Sequence, residues 1–284
     1  MRYVVISPVK DEARHLERTV QSMAAQTAKP VLWVVADDGS SDASPDIVQK
    51  YAAANPFIKL VRNEKRSPRQ TGIAEVLAFN QGLQHVKDVD YDLVVKLDGD
   101  LSFEPDYFER LLKEFEKNPK LGIASGVYLE DRGAGWVEIS MPSYHACGAS
   151  KVVRRKCWEE IGGFVAMRGW DTVDEIRAMA RGWETTHFAD AKMKHWKPEG
   201  TGMGMLKTCY MHGEIYYRTG GGFLFFTLKV LNRLRHAPIL TGGLAMFWGY
   251  LHALLKRREL LVSAEEARCY KKLLNDRLFG RLNK

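Results

Sequence analysis

Cysteine is scarce in this chain, and two common sequence signatures are missing. The four cysteines among its 284 residues form no C-x-x-C pair, so their spacing favours neither a disulfide framework nor a zinc site. We interpret them as reduced thiols of a cytoplasmic protein. No G-x-G-x-x-G motif follows an apolar run, and this disfavours a NAD-dependent dehydrogenase.

We expect no secretory signal at the amino terminus. The first apolar run begins at Tyr3, which is too early for a basic segment and an apolar signal helix to come before it in this sequence. No internal repeat or low-complexity segment is found. With 45% apolar and 27% charged residues, the composition is that of an ordinary folded protein and argues against disorder.

Charge is distributed unevenly along the chain. Residues 201–284 contain 14 lysines and arginines against 5 acidic residues, which leaves −2 for the other 200 residues because the whole chain carries +7. Such a basic third predicts an anionic partner, either nucleic acid or the inner leaflet of a membrane. We favour a membrane over nucleic acid, because the basic residues alternate with bulky apolar stretches and no nucleic-acid-binding module is recognised.

The first 130 residues alternate apolar runs and amphipathic segments in the manner of βαβ units. Two of the runs end in closely spaced carboxylates, which are Asp37 and Asp38 after Val31–Ala36, and Asp98 and Asp100 after Tyr91–Leu97. Strands of an open α/β sheet deliver such side chains to its carboxyl edge, where ligands bind. Aspartate and glycine are also ordinary turn residues, but two such endings in one chain favour a site.

A single glycine separates Asp98 from Asp100, so the two acids lie close together without intervening bulk. Two neighbouring carboxylates repel each other unless a proton or a cation lies between them. A divalent metal is the natural partner of such a pair. The spacing therefore predicts a metal site.

Six elements occur in order along residues 1–200. They are Pro8-Val-Lys-Asp-Glu12, Asp37-Asp-Gly-Ser-Ser-Asp42, Asp98-Gly-Asp100, Gly162-Gly-Phe164, the helix at Asp171, and His195. Together they resemble the family 2 glycosyltransferases, which are inverting enzymes of the GT-A fold. The resemblance implies an α/β fold over residues 1–204, with a nucleotide-binding mixed sheet of the GT-A type flanked by helices. Residues 205–284 would form a basic, amphipathic, helical extension that associates with a membrane.

The resemblance also implies a reaction and a donor site. A sugar would move from a nucleotide-diphosphate sugar, with a UDP-sugar favoured, to a hydroxyl of a glycan or lipid-linked saccharide, as in polysaccharide biosynthesis. Asp37 and Asp38 would bind the base and ribose, and Pro8 and Glu12 would line the same end. Arg69 would contact phosphate, although its basic loop is equally typical of a solvated charge run.

By the same resemblance, the metal is Mn²⁺ or Mg²⁺. Asp100 would bind it, Asp98 would face the ribose or the metal, and His195 would be a further ligand of the metal or the diphosphate. The cation would stabilise the charge on the departing diphosphate. A lone histidine is more often a packed or surface residue, but Lys194 and Lys197 beside this one favour ligation.

Inversion needs a general base on the face opposite the leaving diphosphate. Asp171 lies eleven residues before Gly182, which is the spacing of the catalytic acid in the resembled family, although Trp170-Asp171 stands here in place of Glu-Asp. The pattern also predicts Asp171 as a helix N-cap, with Asp174 completing a capping-box-like pair. We favour Asp171 over Asp174 as the catalytic base and expect Trp170 to contact the acceptor.

The last third contains two apolar stretches. Residues 223–234 are amphipathic and aromatic, and residues 238–255 are uncharged and precede Lys256-Arg257-Arg258. The second stretch approaches the ~20 residues of a bilayer span but is interrupted by glycines and a histidine. We interpret this region as a peripheral anchor at the cytoplasmic membrane. A helical subdomain packed over the catalytic domain is the alternative.

The sequence leaves two rival functions open. A sugar-nucleotide-forming nucleotidyltransferase shares the nucleotide-binding layout, but it predicts a glycine-rich basic loop directly after the first strand, and Ser7–Glu12 is not one. A non-catalytic basic membrane-binding module is the other rival. The presence of every candidate acid argues against it.

Overall fold

The structure is a computed structural model that describes residues 1–63, 72–197 and 204–280. In these residues the chain forms nine strands and ten α-helices. It divides into two compact units, one of Met1–Ala178 with Gly182–Lys197 and the other of Met179–Arg181 with Pro198–Lys284. Arg69, the predicted phosphate contact, lies outside the described residues.

The first unit alternates strands and helices from its amino terminus. Its strands are β1 (Tyr3–Val9), β2 (Leu32–Asp37), β3 (Ile58–Arg62), β4 (Leu93–Leu97), β5 (Leu101–Phe103), β6 (Leu121–Asp131), β7 (Trp136–Glu138), β8 (Ser150–Arg154) and β9 (Glu184–His195). Its helices are α1 (Ala13–Ala24), α2 (Ser44–Ala52), α3 (Ala74–Leu83), α4 (Tyr107–Lys117), α5 (Arg155–Ile161) and α6 (Trp170–Ala180), of which the last extends into the second unit.

The strands form one mixed sheet in the order β3-β2-β1-β4-β8-β6-β9-β5, with β7 paired to β6. Strands β3, β2, β1 and β4 run parallel to one another. Strand β8 is antiparallel to both β4 and β6, whereas β9 runs parallel to β6 and antiparallel to β5. The prediction of a mixed sheet flanked by helices is confirmed.

Apolar side chains fill both faces of this sheet, and β1 shows why its sequence is an unbroken apolar run. Tyr3 and Val5 are buried in one hydrophobic cluster, whereas Val4 and Ile6 are buried in a second cluster. Successive residues of a strand point to opposite faces. A strand covered on both faces therefore shows no polar alternation.

The carboxyl ends of three parallel strands meet at one edge. Val9 of β1 lies opposite Asp37 of β2, and Ile6 of β1 lies opposite Lys96 of β4. Asp98 follows β4 directly. The structure thus places both acidic strand endings at the edge where the sequence predicts them.

The second unit is helical. It contains α7 (Met205–Arg218), α8 (Phe223–Arg233), α9 (Thr241–Leu255) and α10 (Ala264–Leu278). Helix α10 begins with a capping box, because the Ser263 side chain accepts from the Glu266 amide and the Glu266 side chain accepts from the Ser263 amide. Among the described residues, none of the helices has the length and apolarity that a membrane crossing requires.

Candidate active site

Asp37 and Asp38 are buried at the end of β2. Asp37 Oδ1 accepts from the Ser40 amide at 3.2 Å, and Asp37 Oδ2 lies 3.3 Å from Arg62 Nε. Asp38 Oδ2 lies 3.4 Å from Lys10 Nζ. Both carboxylates therefore face a cation at more than the 2.7–2.9 Å that is typical of strong charge-assisted bonds.

The loop that follows β1 is locked to the loop that follows β2. The Asp11 amide donates to Ser40 Oγ, and Asp11 Oδ1 accepts from the Ser41 amide at 2.8 Å. The Glu12 amide donates to Ser44 Oγ. Asp11 adopts a φ of 53°, a left-handed conformation that asparagine and aspartate tolerate best among residues with a side chain. These contacts fix the position of Glu12, which is the N-cap of α1.

Glu12 carries an ion pair that the sequence did not predict. Lys197 Nζ donates to Glu12 Oε1 at 2.8 Å. Burial raises the pKa of Glu12 above its ordinary value, although Lys197 opposes the shift. Gly99, between the two acids after β4, lies against the same helix, and a methyl group added there would stand 3.3 Å from Leu16 Cδ1. The glycine thus lets the loop after β4 approach α1 closely.

Asp98 is held by a buried lysine of β4. Lys96 Nζ donates to Asp98 Oδ1 at 2.6 Å and to the Gly148 carbonyl at 3.1 Å. Burial lowers the pKa of Lys96, but the charges of Asp98 and Glu75 outweigh it, so this pKa lies above the ordinary value. Lys96 therefore remains an ammonium group. A charged residue inside an otherwise apolar strand is the sequence signal that could have identified it.

Asp100 and His195 lie side by side, as their predicted roles require. His195 Nε2 is 3.5 Å from Asp100 Oδ2, and His195 Nδ1 is 3.9 Å from Glu130 Oε1. Glu130 stands opposite His195 in the register of β6 and β9. In the part of the chain that the structure describes, Asp100 Oδ1 and His195 Nδ1 are the two buried side-chain atoms without a hydrogen-bond partner.

This pair fits a divalent cation that is shared with a substrate. Within residues 1–63, 72–197 and 204–280, no cluster of three or more His, Cys, Asp or Glu side chains could hold a metal ion. Asp100 and His195 instead supply two donors, of which one is a buried carboxylate oxygen without a partner. Mg²⁺ is commonly bound through one or two carboxylates together with substrate phosphates.

Helix α6 begins two residues earlier than an N-cap at Asp171 predicts. It starts at Trp170, and the amides of Thr172 and Val173 both donate to the Gly169 carbonyl. Asp171 therefore lies inside the first turn, and its prediction as the N-cap is wrong. The Asp171 side chain is half-buried, and its carboxylate accepts no hydrogen bond from the residues that the structure describes. Lys151 Nζ donates to the Asp171 carbonyl at 2.7 Å.

Asp174 belongs to a buried ionic cluster and does not complete a cap. Both of its carboxylate oxygens lie 3.0 Å from Lys151 Nζ. Glu175 Oε1 is 3.2 Å from the same nitrogen, and Glu175 Oε2 is 3.0 Å from His145 Nδ1. Lys151, Asp174 and Glu175 are all buried. The prediction of a capping-box-like pair between Asp171 and Asp174 is therefore wrong.

Trp170 is a core residue. Its side chain is 4% exposed, its Nε1 donates to Glu75 Oε1 at 2.5 Å, and its ring lies 4.5 Å from that of Phe164. The Nζ atoms of Lys96 and Lys151 lie 5.0 and 5.3 Å from the centre of the ring. A ring buried in this way offers no face to a sugar, so the interpretation of Trp170 as an acceptor contact is wrong.

Two solved structures share this fold over nearly the whole chain. The mannosyltransferase PcManGT from Pyrobaculum calidifontis, in complex with GDP-Man and Mn²⁺, gives a TM-score of 0.58 at 19% identity and covers 99% of this chain and 81% of that one. TarS 1–349 from S. aureus, in complex with UDP-GlcNAc, gives 0.58 at 19% identity and covers 97% and 80%. The fold is therefore the GT-A fold of glycosyltransferases.

Sequence comparison identifies the family. Residues 4–168 match the sequence model of Glycosyl transferase family 2, which is more than half of the chain, and the protein belongs to that family. It is 28% identical over 116 residues to a poly-β-1,6-N-acetyl-D-glucosamine synthase of Staphylococcus aureus (strain COL), a match over 41% of this chain and 26% of the synthase. The prediction of the family is confirmed.

Proposed function

We propose that this protein is a metal-dependent inverting glycosyltransferase that moves a sugar from a nucleotide-diphosphate sugar to a hydroxyl of a glycan or lipid-linked saccharide. The observation that carries the proposal is the pair of buried Asp100 and half-buried His195, with its unpartnered carboxylate oxygen, at the edge where Asp37 and Asp38 also lie. The two similar structures in complex with GDP-Man and UDP-GlcNAc support a nucleotide-sugar donor.

The donor base and ribose bind at Asp37 and Asp38, with Pro8 and Glu12 lining the same end. A carboxylate accepts the imide N–H of uracil, which is why we favour a UDP-sugar. The cations that face these acids stand at 3.3 and 3.4 Å, so a nucleotide N–H or hydroxyl can compete for the oxygens. The loops after β1 and β2, which carry these residues, are fixed before a ligand binds, because the hydroxyls of Ser40 and Ser44 accept hydrogen bonds from the amides of Asp11 and Glu12.

Asp100 and His195 hold the Mn²⁺ or Mg²⁺ together with the diphosphate of the donor. When bound, the cation stabilises the negative charge that develops on the leaving diphosphate. Glu130 Oε1 lies 3.9 Å from His195 Nδ1, beyond hydrogen-bond distance, and its negative charge favours the tautomer that carries the proton on Nδ1 and leaves Nε2 to act as a ligand. Lys96 Nζ orients Asp98 by donating to its Oδ1 at 2.6 Å. This hydrogen bond keeps Oδ1 away from the metal and the ribose.

Asp171 acts as the general base that deprotonates the acceptor hydroxyl. Its half-buried carboxylate accepts no hydrogen bond from the described residues, whereas Asp174 is engaged on both oxygens by Lys151. Lys151 also holds the Asp171 carbonyl and so fixes the first turn of α6. We therefore assign proton transfer to Asp171 and a positioning role to Lys151 and Asp174.

Calorimetry with UDP, GDP and dTDP, each with and without Mn²⁺, tests the donor and the metal. We expect tight binding of one nucleotide, UDP first, that requires Mn²⁺ and is lost in Asp100→Asn, since asparagine keeps the shape but removes the charge. Asp88→Asn, a change at an exposed aspartate, is the matched control. Binding of NAD(H), or metal-independent binding of UDP in Asp100→Asn, would contradict the proposal.

A further inference from the structure

Helix α9 in the second unit buries mostly small residues and exposes most of its large apolar residues. Its buried positions are Gly242, Gly243, Met246, Gly249 and Ala253. Its exposed side chains include Leu244, Phe247, Trp248 and Leu255, which are 62, 41, 54 and 67% exposed. A surface helix of a water-soluble domain normally shows the reverse arrangement.

The packing of α9 against α7 explains this arrangement. A methyl group added at Gly249 would stand 2.0 Å from the Tyr210 carbonyl oxygen, and one added at Gly213 would stand 1.9 Å from the Met246 carbonyl oxygen. The two backbones are thus in direct contact, and only glycine fits at the crossing. Close approach through small residues is the packing mode of helices in an apolar medium, where large side chains face the lipid.

The loop before α9 continues the apolar surface. Ile239 and Leu240 are 66 and 59% exposed. With Leu244, Phe247, Trp248 and Leu255 they form what we call the α9 face. A contiguous set of exposed large apolar side chains marks an interaction site rather than ordinary surface. None of the six residues is charged.

Basic residues flank the α9 face at both ends. Arg233 and Arg235 precede it, and Lys256, Arg257 and Arg258 follow α9 directly and are exposed. This arrangement, apolar in the middle and cationic at the ends, matches the acyl chains and anionic headgroups of a lipid surface. A second copy of the chain would carry the same positive charge and would gain no such attraction.

The length of α9 restricts how it can meet a bilayer. Its 15 residues extend over about 22 Å, which is less than the roughly 30 Å hydrocarbon core. We propose that the α9 face docks onto an anionic lipid bilayer with the helix lying in the plane of the interface. This inference does not depend on the proposed donor, metal or base, because all of its residues belong to the second unit.

Vesicle flotation of the full chain tests the proposal. We expect binding to phosphatidylcholine vesicles that contain phosphatidylglycerol, much weaker binding to phosphatidylcholine alone, and only partial release by salt, because apolar burial persists when charge is screened. Leu244→Ser and Phe247→Ser should each weaken binding roughly tenfold or more. Val137→Ser changes an exposed apolar residue of the first unit and should leave binding unchanged.

Trp248 gives a direct readout of insertion, because the other six tryptophans of the chain all precede residue 197. Lipids brominated on the upper acyl chain should quench its fluorescence. Trp248→Phe should abolish that part of the quenching while the protein still floats with the vesicles. Nucleotide calorimetry on the same variants reports folding and donor binding separately from lipid binding.

Three outcomes would overturn the proposal. The first is a full chain that does not float with anionic vesicles at low salt. The second is flotation that Leu244→Ser and Phe247→Ser leave unchanged. The third is a dimer, detected by light scattering, that Phe247→Ser converts to a monomer while vesicles bind neither form, since the α9 face would then be an interface between copies.

Discussion

Asparagine in place of Asp171 or of Asp174 separates a catalytic carboxylate from a structural one. Both changes keep the shape of the side chain and remove one negative charge. The Asp171 carboxylate is half-buried, whereas Asp174 is buried with both oxygens 3.0 Å from Lys151 Nζ. The two variants should therefore fail in different ways.

The cost in stability should fall on Asp174→Asn. Removing one partner of a buried ion pair costs about 3–5 kcal/mol, and we expect the lower end because Glu175 stays 3.2 Å from Lys151. For a unit of this size, about 3 kcal/mol corresponds to a fall in Tm of about 6–12 °C. Asp171→Asn removes no side-chain partner among the described residues and should change the free energy of unfolding by about 0.5 kcal/mol or less.

The cost in turnover should fall on Asp171→Asn. Loss of a general base slows the reaction by about 10²–10⁴-fold, while nucleotide and metal binding should remain, since the base acts on the acceptor side. Sugar transfer from a radiolabelled donor, calorimetry of nucleotide binding and thermal unfolding by circular dichroism measure the three quantities. Magnetic resonance of the product should show inversion at the anomeric carbon.

Parental turnover in a stable Asp171→Asn enzyme would refute the assignment of the base. If Asp174→Asn kept the parental Tm and lost transfer, the base would be Asp174, and the structural role given to that residue would be wrong. Retention of configuration in the product would exclude a single displacement with either acid.

Two further predictions concern a carboxylate that lies beside a histidine, Glu130 beside His195 and Glu175 beside His145. Glu130→Gln should weaken Mn²⁺ binding in the presence of UDP by about tenfold, measured by electron paramagnetic resonance, because it removes the negative charge that lies 3.9 Å from His195 Nδ1. Glu138→Gln, at an ion-paired carboxylate that is 45% exposed, should leave the affinity for Mn²⁺ unchanged. Equal affinities of the Glu130→Gln variant and the parent would exclude the role of Glu130. Burial lowers the pKa of His145, but Glu175 outweighs it, so this pKa lies above its ordinary value. The stabilisation of the fold by the His145–Glu175 pair is present below about pH 6.5 and is lost as the pH rises through the folded-state pKa of His145. His145→Gln should therefore lower Tm more at about pH 6 than at about pH 8.5. A larger loss of Tm at the higher pH would contradict the raised pKa.

The acidic edge could be predicted from the sequence because the signal is local. An apolar run sets the strand, and the residues that follow it lie at the carboxyl end of that strand. Asp37 and Asp98 therefore reach the same edge once β2 and β4 flank β1 in parallel. The three-residue strands β5 and β7 were not predicted, since so few residues carry too little periodicity.

The interpretation of α6 failed where a distant residue decides the local structure. Asp171 and Asp174 have the spacing of a cap pair, and nothing nearby in the sequence argues against it. Lys151, 23 residues before Asp174 along the chain, takes both oxygens of that carboxylate. The interpretation of Trp170 as an acceptor contact is wrong for the same reason. Its hydrogen-bond partner Glu75 is 95 residues away along the chain. Periodicity and capping rules contain no information about such partners.

The buried side chains of Lys96 and Lys151 lie between the proposed donor side of the site and the proposed base. Lys96 of β4 and Lys151 of β8 stand directly opposite each other in the antiparallel register, where like charges destabilise a sheet. Each is offset by a different set of acids, Asp98 for Lys96, and Asp174 with Glu175 for Lys151. Lys96 thereby fixes the first acid after β4, and Lys151 fixes the start of α6. An apolar pair at these positions would avoid the repulsion between two lysines. It would also leave Asp98, Asp174 and Glu175 without their cationic partner. We therefore attribute the presence of two opposed lysines to the two segments that they position, the loop after β4 and the start of α6.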